Sequence, residues 1–219
     1  MLKNKLKALI INFPGTNCLD ETNSALIKAG FDTETIYHDE PLKKADLIVL
    51  AGGFSFGDYV SCGRIAKFSP AIKELFNLKN TDKGNTKPFI LGICNGFQIL
   101  LEAGFLKGAL LENENGRFIS KDVELNFKNK SFFLPIAHHQ GRYYIKNFDD
   151  IKEYDLITYK NNPNGSSFDI AGLYDKKKNV MGLMPHPERN YITPFKPENG
   201  KIIFDFIKEE IEKEFYGTL

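Results

Sequence analysis

Residues 88–101 read PFILGICNGFQILL, and this stretch is the most informative about the fold. Residues 88–93 place apolar side chains on both faces, as expected of a strand at the buried centre of a parallel sheet. A helical pattern follows Cys94. Its flanking glycines, in the pattern G-x-C-x-G, match the G-x-S-x-G elbow, in which glycine permits a sharp, strained turn that exposes a nucleophile. The sequence therefore predicts a strand, an elbow with Cys94 at its corner, and a helix.

Cys94 has two interpretations at this corner. At a helix N-terminus it lies near unpaired backbone N–H groups and the positive end of the helix dipole, which favour the thiolate and make it a candidate nucleophile. Alternatively, it is a small buried hydrophobic residue, and the glycines beside it serve packing. The rest of the chain has to decide between them.

Outward from this stretch, the first half alternates short apolar runs with helical patterns, which is typical of strand–helix–strand units in parallel sheets. Further strands are predicted at residues 7–13, 33–37 and 46–51. Thr16 or Asn17 is expected to cap a helix that closes near Gly30. Residues 69–78 are predicted to form a second helix, followed by a polar loop at residues 79–87.

After Gly104 the pattern changes to alternating runs, which indicate antiparallel strands. The runs are at residues 121–127, 131–137 and 142–146. Two further strands, 169–174 and 180–184, flank a hairpin tip at 175–179, and an amphipathic helix spans 200–215. The predicted fold class is α/β, with a mostly parallel central sheet flanked by helices and an antiparallel section in the second half.

The composition argues against several classes of protein. A net charge of +1 gives no electrostatic basis for binding nucleic acid or an anionic membrane. Three cysteines, an odd and sparse count, argue against a disulfide framework and for a reducing compartment. No run approaches the roughly 18 apolar residues of a membrane span, and the early apolar run is interpreted as a strand rather than a signal peptide. We expect a cytoplasmic protein with one domain over residues 1–219, since no linker divides the chain.

A thiolate nucleophile needs a base, and MPHPER at residues 184–189 offers one. Met184 and His186 both precede proline and are therefore biased toward extended geometry, in which residues two apart point to the same side. His186 and Glu188 would then approach one cavity, with Glu188 accepting a hydrogen bond from one imidazole nitrogen. The other nitrogen would face Cys94, in a Cys-His-Glu triad like the Ser-His-Asp template. A surface turn punctuated by prolines is the alternative.

The glycine-rich run AGGFSFGD at residues 51–58 follows a predicted parallel strand. Loops at the carboxyl ends of parallel strands face one crevice, so this run is expected beside the elbow. The backbone N–H groups of Gly53 and Asn95 are candidate donors to an oxyanion. Neither G-x-x-x-x-G-K-[ST] nor G-x-G-x-x-G is present, which disfavours a phosphate-binding loop. An ordinary glycine turn remains the alternative.

The order and spacing of GGFSFGDY, GICNGFQIL and MPHPER resemble those of the class I (triad) glutamine amidotransferases, which have a flavodoxin-like fold. Within that class, the chain is most similar to the glutaminase subunits of phosphoribosylformylglycinamidine synthases, which act in purine synthesis. The segments that carry this closer resemblance are PGTNC at 14–18, AGGFSFGDYVSCGRIA at 51–66, residues 92–111, PIAHHQGRYY at 135–144, NPNGSSFDIAGLYD at 162–175 and VMGLMPHPER at 180–189. The resemblance covers nearly the whole chain.

The resemblance implies a reaction and roles for the residues. Cys94 attacks the side-chain carboxamide of L-glutamine, His186 moves protons and Glu188 holds His186. A glutamyl thioester forms, ammonia leaves, and water releases glutamate. Substrate binding is expected at three positions near these residues: Gly52, Phe54 and Gln98.

The resemblance also implies partners. Ammonia passes to a separate large synthetase subunit, and a small accessory subunit completes the synthase. ATP and magnesium are expected on the synthetase, because this chain has no nucleotide motif, and no cofactor or metal is expected on the chain itself. Two other functions stay open: the glutaminase subunit of another biosynthetic amidotransferase, and a catalytically silent regulatory relative.

Residues 139 and 140 depart from the family pattern. Gly-Glu is expected where this chain has His139 and Gln140, so no carboxylate role is assigned there. His138 and His139 are expected to be wall or interface residues. Cys18 and Cys62 are expected to pack beside the site.

Overall fold

A computed structural model describes residues 5–80, 87–193 and 197–216, with the side chains of Asn80, Phe215 and Tyr216 left out. Its strands are β1 (Lys7–Asn12), β2 (Asp32–Tyr37), β3 (Leu47–Leu50), β4 (Phe89–Ile93), β5 (Ala109–Leu111), β6 (Ile119–Phe127), β7 (Lys130–His138), β8 (Arg142–Tyr144), β9 (Asp155–Tyr159), β10 (Ile170–Asp175) and β11 (Val180–Leu183). Its helices are α1 (Leu19–Lys28), α2 (Pro70–Asn80), α3 (Asn95–Glu102), α4 (Arg189–Ile192) and α5 (Lys201–Tyr216). In these ranges, no helix combines the length and apolar character needed to cross a membrane.

Nine strands form the central sheet, in the order β2-β1-β3-β4-β11-β10-β9-β6-β7. The first five strands in that order run parallel, and the remaining pairs are antiparallel. Strands β5 and β8 form a separate two-stranded sheet. The predicted fold class, a largely parallel sheet with an antiparallel section from the second half, is confirmed.

The centre of the sheet is buried on both faces. Every residue of β3, β4 and β11 is buried, which is how parallel strands covered by helices on both sides read in sequence. The predicted apolar face of α5 was Ile202, Ile203, Phe206, Ile207 and Ile211; Ile203, Ile207 and Ile211 are buried together with Phe204, whereas Ile202 and Phe206 are only partly buried.

The predicted cap of the first helix was wrong. The N-cap of α1 is Cys18, and no side chain caps it. The Thr16 hydroxyl instead accepts the backbone N–H of Phe13 at 3.0 Å, so it closes the turn after β1 rather than the helix. The second helix, α2, runs to Asn80, two residues past its predicted end, and residues 81–86 of the predicted polar loop lie outside the described residues.

The hairpin of β10 and β11 is confirmed, with the Asp175 carboxylate accepting the N–H of Lys177 at 3.0 Å in its tip. The sequence did not indicate that β11 also pairs in parallel with β4, where Leu183 lies opposite Ile93. Strand β9 was not predicted, and β8, predicted as residues 142–146, is shorter and pairs with β5. The β4–β11 pairing sets the functional site, because it places the segment after β11 beside the corner after β4.

Candidate active site

Cys94 forms the predicted elbow between β4 and α3. Its φ of 50° and ψ of −104° are unusual for a non-glycine residue. Such a conformation costs about 1–3 kcal/mol and persists only where the surroundings enforce it. One enforcing contact is the hydrogen bond from the Cys94 N–H to the Leu183 carbonyl at 2.8 Å. The strained turn holds the thiol at the carboxyl edge of the sheet, although Cys94 is only 6% exposed.

The glycines on either side of Cys94 are required by close packing. A Cβ at position 96 would lie 1.9 Å from the Leu50 carbonyl oxygen of β3, and one at position 92 would lie 2.6 Å from the Gly96 carbonyl oxygen. Both distances are far below van der Waals contact. Helix α3 therefore sits directly on the sheet only because both positions lack a side chain, which gives the G-x-C-x-G pattern its physical reason.

His186 and Glu188 are brought together after β11. The backbone N–H of His186 donates to the Pro135 carbonyl of β7 at 2.8 Å, and its Nδ1 lies 2.6 Å from Glu188 Oε1. The His186 and Glu188 side chains are 2% and 0% exposed. The pairing agrees with the prediction, but a fully extended segment does not produce it: Glu188 has helical φ and ψ as the N-cap of α4.

The charges around His186 favour its protonated form. Burial alone would lower its pKa, but the Glu188 carboxylate and the charge of Cys94 outweigh burial, so the pKa of His186 is raised well above its usual value. The Nε2 atom has no hydrogen-bond partner among the described residues, which leaves it available on the side away from Glu188. The arrangement can hold a thiolate beside an imidazolium.

The loop from Gly52 to Asp58 is braced by the PGTNC turn at residues 14–18. Three backbone hydrogen bonds join the two segments: Phe54 N–H to Gly15 O at 2.8 Å, Phe56 N–H to Pro14 O at 2.7 Å, and Cys18 N–H to Gly52 O at 3.1 Å. The contact is close, because a Cβ on Gly53 would lie 2.5 Å from both Asn17 N and Gly15 O. No described residue accepts the Gly53 N–H, as expected of an oxyanion donor.

The Asn95 side chain hydrogen-bonds to the loop from Gly52 to Asp58 on its other side. Its Oδ1 accepts the Ser55 N–H at 3.0 Å, and its Nδ2 donates to Gln98 Oε1 at 2.8 Å. Gln98 in turn donates to the Gln140 carbonyl at 2.7 Å. Both ends of the Gln98 carboxamide are thus engaged within the protein. Its predicted contact with substrate stays a prediction, whereas its role in orienting Asn95 is visible.

The other two predicted substrate contacts lie on either side of the site. Gly52 packs against the imidazole, where an added Cβ would be 2.9 Å from His186 Cε1. Phe54 is at the rim, 49% exposed. Substrate contacts at both positions also remain predictions.

The sequence missed Asp58 as part of the site. Asp58 accepts from Asn95 Nδ2 at 3.2 Å, and burial raises its pKa. Burial, together with the Asp58 charge, raises the pKa of Cys62 to about 12, so Cys62 stays a thiol at neutral pH. The sequence offered one signal for Asp58: it is an acidic residue inside the glycine-rich run that also contains Gly53.

Residues 138–140 form a wall of the site. His138 is buried and its Nδ1 lies 3.1 Å from Asn113 Oδ1, while burial and the nearby His186 lower its pKa to about 4, so it is neutral. His139 is exposed. Gln140 donates from Nε2 to the Leu110 carbonyl at 2.9 Å, a bond that a glutamate in its place could not make.

Two further features adjoin the site. A cavity of about 160 Å³ lies beyond Gln98, and its polar lining includes Cys62, Glu102 and Gln140. Cys18, His186 and Glu188 have potential metal-ligand atoms within 4.8 Å of one another. The imidazole and carboxylate already hydrogen-bond to each other, and the Arg189 guanidinium donates to the Cys18 sulfur. That cation disfavours a metal ion at this position.

Comparisons with known proteins agree with this geometry. Residues 5–203 match the model of the CobB/CobQ-like glutamine amidotransferase domain. The chain is 49% identical to phosphoribosylformylglycinamidine synthase subunit PurQ of Campylobacter jejuni, over 84% of this chain and 87% of that protein. It is 41% identical to the PurQ subunit of Pelagibacter ubique, over 89% and 95% of the two chains.

Solved structures show the same likeness. A chain in the structure of PurLQS from Thermotoga maritima superposes with a TM-score of 0.80 at 34% identity, covering 96% of this chain and 99% of that one. A glutamine amidotransferase from the same organism, 14% identical, has a TM-score of 0.60 over 99% of this chain and 100% of that one, and shares the fold.

Proposed function

This chain belongs to the CobB/CobQ-like glutamine amidotransferases and, among them, to the PurQ subunits of phosphoribosylformylglycinamidine synthase, and on that premise we propose that Cys94, His186 and Glu188 form its catalytic triad. The chain is the glutaminase subunit of that synthase. It hydrolyses L-glutamine to glutamate and ammonia, and the ammonia serves the synthetase reaction of purine biosynthesis, in which formylglycinamide ribonucleotide becomes formylglycinamidine ribonucleotide.

The first half of the reaction forms a thioester. The Cys94 thiolate attacks the carboxamide carbon of glutamine, and the carbonyl oxygen becomes an oxyanion. The N–H groups of Gly53 and Asn95 donate to that oxygen, a contribution of about 2.7–4 kcal/mol for one donor. The His186 imidazolium protonates the departing nitrogen, and ammonia leaves as the carbon–nitrogen bond breaks.

The second half restores the enzyme. Neutral His186 takes a proton from water, and the resulting hydroxide adds to the thioester carbon. The same N–H groups stabilise the second oxyanion. Its collapse breaks the carbon–sulfur bond, releasing glutamate and the Cys94 thiolate beside the imidazolium. Glu188 stays ionised throughout and holds the ring through Nδ1, as the carboxylate of a Ser-His-Asp triad does.

The partners follow from the family. The large synthetase subunit receives the ammonia, a small accessory subunit completes the synthase, and ATP and magnesium bind to the synthetase. The Thermotoga maritima structure, whose name joins PurL, PurQ and PurS, supports this assembly. No metal or cofactor is assigned to this chain.

One observation carries the proposed triad: a buried His186–Glu188 pair at 2.6 Å, brought beside a strained cysteine by the β4–β11 pairing. The test is Cys94→Ala in the assembled synthase. We expect glutamine-dependent synthesis to be abolished while synthesis from added ammonium salts is largely kept, because the ATP-dependent chemistry lies in another chain.

The measurement is product formation with each nitrogen source, after gel filtration has shown that the complex assembles. Equal loss with both sources would contradict the division of labour. Retention of glutamine-dependent synthesis would exclude Cys94 as the nucleophile.

A further inference from the structure

Arg189 lies beside the triad, and the proposed reaction gives it no role. It directly follows Glu188, yet in the described part of the chain its guanidinium pairs with no carboxylate. Its Nη2 instead donates to the Cys18 sulfur at 3.1 Å. A charged donor directed at a thiol rather than at an adjacent carboxylate needs an explanation, because the planar guanidinium suits a carboxylate far better.

The residue before Arg189 carries a carboxylate oxygen that is unpaired in the part of the chain that the structure describes. Glu188 Oε1 is bound to His186, but Glu188 Oε2 is buried without a hydrogen-bond partner among the described residues. An unpaired buried polar atom is costly. Burial would lower the pKa of Arg189, but Cys18 and, after it, the charge of Glu188 raise it, so the guanidinium is electrostatically coupled to both groups. If the guanidinium turned onto Glu188, it would satisfy that oxygen and neutralise the charge that His186 depends on.

The Cys18 sulfur, which holds the guanidinium, belongs to a buried and well-anchored residue. Its residue is 2% exposed and is anchored at both backbone groups: the N–H donates to Gly52 O at 3.1 Å, and the carbonyl accepts the Thr22 N–H at 3.0 Å. The sulfur also lies within 4.8 Å of ligand atoms of His186 and Glu188. Cys18 thus connects the loop from Gly52 to Asp58, called here the oxyanion loop, with helix α1 and the triad.

We propose that Cys18 is a positioning residue, whose sulfur retains the Arg189 guanidinium and so leaves the Glu188 carboxylate to orient His186. This role rests on the proposed triad. It gives the second cysteine of the site a function beyond packing.

Loss of the sulfur acceptor has a defined consequence. The charged or titratable groups that act on His186 are Glu188, Cys94, Cys18 and His138, with Arg189 behind them. Once Arg189 pairs with Glu188, less negative charge faces the imidazole and the pKa of His186 falls. The imidazolium is then lost at lower pH, so the alkaline limb of the activity profile moves down.

The experiment compares Cys18→Val, which fills the space without an acceptor, with Cys18→Ser, which keeps one, and with Arg189→Leu and the double variant Cys18→Val/Arg189→Leu. Glutamine-dependent kcat and KM are measured against pH in the assembled synthase. We expect Cys18→Val to lower kcat about ten- to a hundredfold, the scale of a misplaced catalytic group. Its alkaline limb should move to lower pH. Cys18→Ser should lose less, and the double variant should exceed Cys18→Val in kcat.

Cys62→Val is the matched control, since it removes the other non-nucleophilic thiol near the site, and its alkaline limb should not move. An unmoved limb in Cys18→Val, or a double variant no better than Cys18→Val, would overturn the inference. Cys18→Ala replaces Cys18→Val if the latter does not assemble. If the proposed triad itself were wrong, His186→Ala would keep its activity. That result distinguishes failure of the triad from failure of the inference about Cys18.

Discussion

At the scale of single residues, the site depends on a strained cysteine and a buried ion pair. Cys94 occupies a positive-φ conformation that costs free energy of folding, and the hydrogen bond from its N–H to the Leu183 carbonyl helps to hold it there. His186 gains its charge from Glu188 and Cys94 against the effect of burial. The backbone strain at Cys94 and the burial of the charged His186–Glu188 pair both cost free energy, and the surrounding fold maintains them.

A first prediction ranks the two residues of the pair. His186→Ala should lower glutamine-dependent turnover by about 10² to 10⁴-fold, because it removes proton transfer itself. Glu188→Gln should cost less, since it removes only the orienting charge. Steady-state kinetics of both folded variants measure the order. If the glutamine variant is the more severe, the two roles have been assigned the wrong way round.

A second prediction concerns pH. The Glu188 carboxylate raises the pKa of His186, so Glu188→Gln should lower that pKa and deplete the imidazolium at lower pH. The alkaline limb of kcat should therefore move to lower pH in this variant. The check is a pH profile of glutamate release by the assembled synthase. A limb that stays in place or moves upward would contradict the assigned electrostatics.

At the scale of elements, two turns form one unit. The PGTNC turn braces the loop that carries Gly53, through backbone hydrogen bonds and contacts too close for a side chain. Gly15 has a φ of 90°, and a Cβ there would lie 2.2 Å from the Phe54 carbonyl oxygen. The oxyanion loop takes its shape from the turn after β1, not from its own glycines alone.

Gly15→Ala therefore tests the brace. The methyl group should displace the loop and misdirect the Gly53 donor, lowering turnover by about 10² to 10³-fold if that donor is lost. Gly104→Ala is the matched control: Gly104 also has positive φ, 78°, but an added Cβ would meet no atom within 4 Å. Both variants should lose about 1 kcal/mol or more of stability from backbone strain. Only Gly15→Ala should lose turnover, and equal kinetics in the two would argue against the brace.

At the level of the whole molecule, exposed aromatic side chains border the site. The oxyanion loop exposes Phe54, and Tyr59 beside it is 87% exposed. Exposed aromatic residues next to a catalytic crevice are typical of a surface that meets a partner. In the proposed assembly the synthetase would cover this rim, keeping ammonia from bulk water.

We predict that the chain alone is a poor glutaminase. Glutamate release should rise by about two orders of magnitude when the synthetase and its nucleotide are added, the scale of one oxyanion donor brought into its productive direction. Because the PGTNC turn already braces the loop, a partner has little of the loop left to order. The rise in glutamate release therefore tests whether the partner reorients the Gly53 N–H. Full activity of the isolated chain would contradict the prediction.

Local residue patterns were enough to predict the elbow and the histidine–glutamate pair. G-x-C-x-G permits the elbow because a Cβ at position 96 or 92 would lie 1.9 or 2.6 Å from a backbone oxygen, so only glycine fits there. Hydrophobic patterning predicted β4, the β10–β11 hairpin and α5, and MPHPER identified His186 and Glu188 as a pair, although by an extended geometry that Glu188 does not adopt. These features depend on residues that are close together in the chain, so patterns within a short window of sequence can predict them.

Only the tertiary structure decided which distant segments meet. The parallel pairing of β11 with β4 places His186 beside Cys94, although 92 positions separate them in the chain. Thr16 closes a turn instead of capping α1, and Gln98 is held by Asn95 and Gln140. The Cys18–Arg189 contact joins segments even farther apart. Such contacts follow from how strands pair and helices pack across the whole fold, a global balance of free energy that no local pattern of residues encodes.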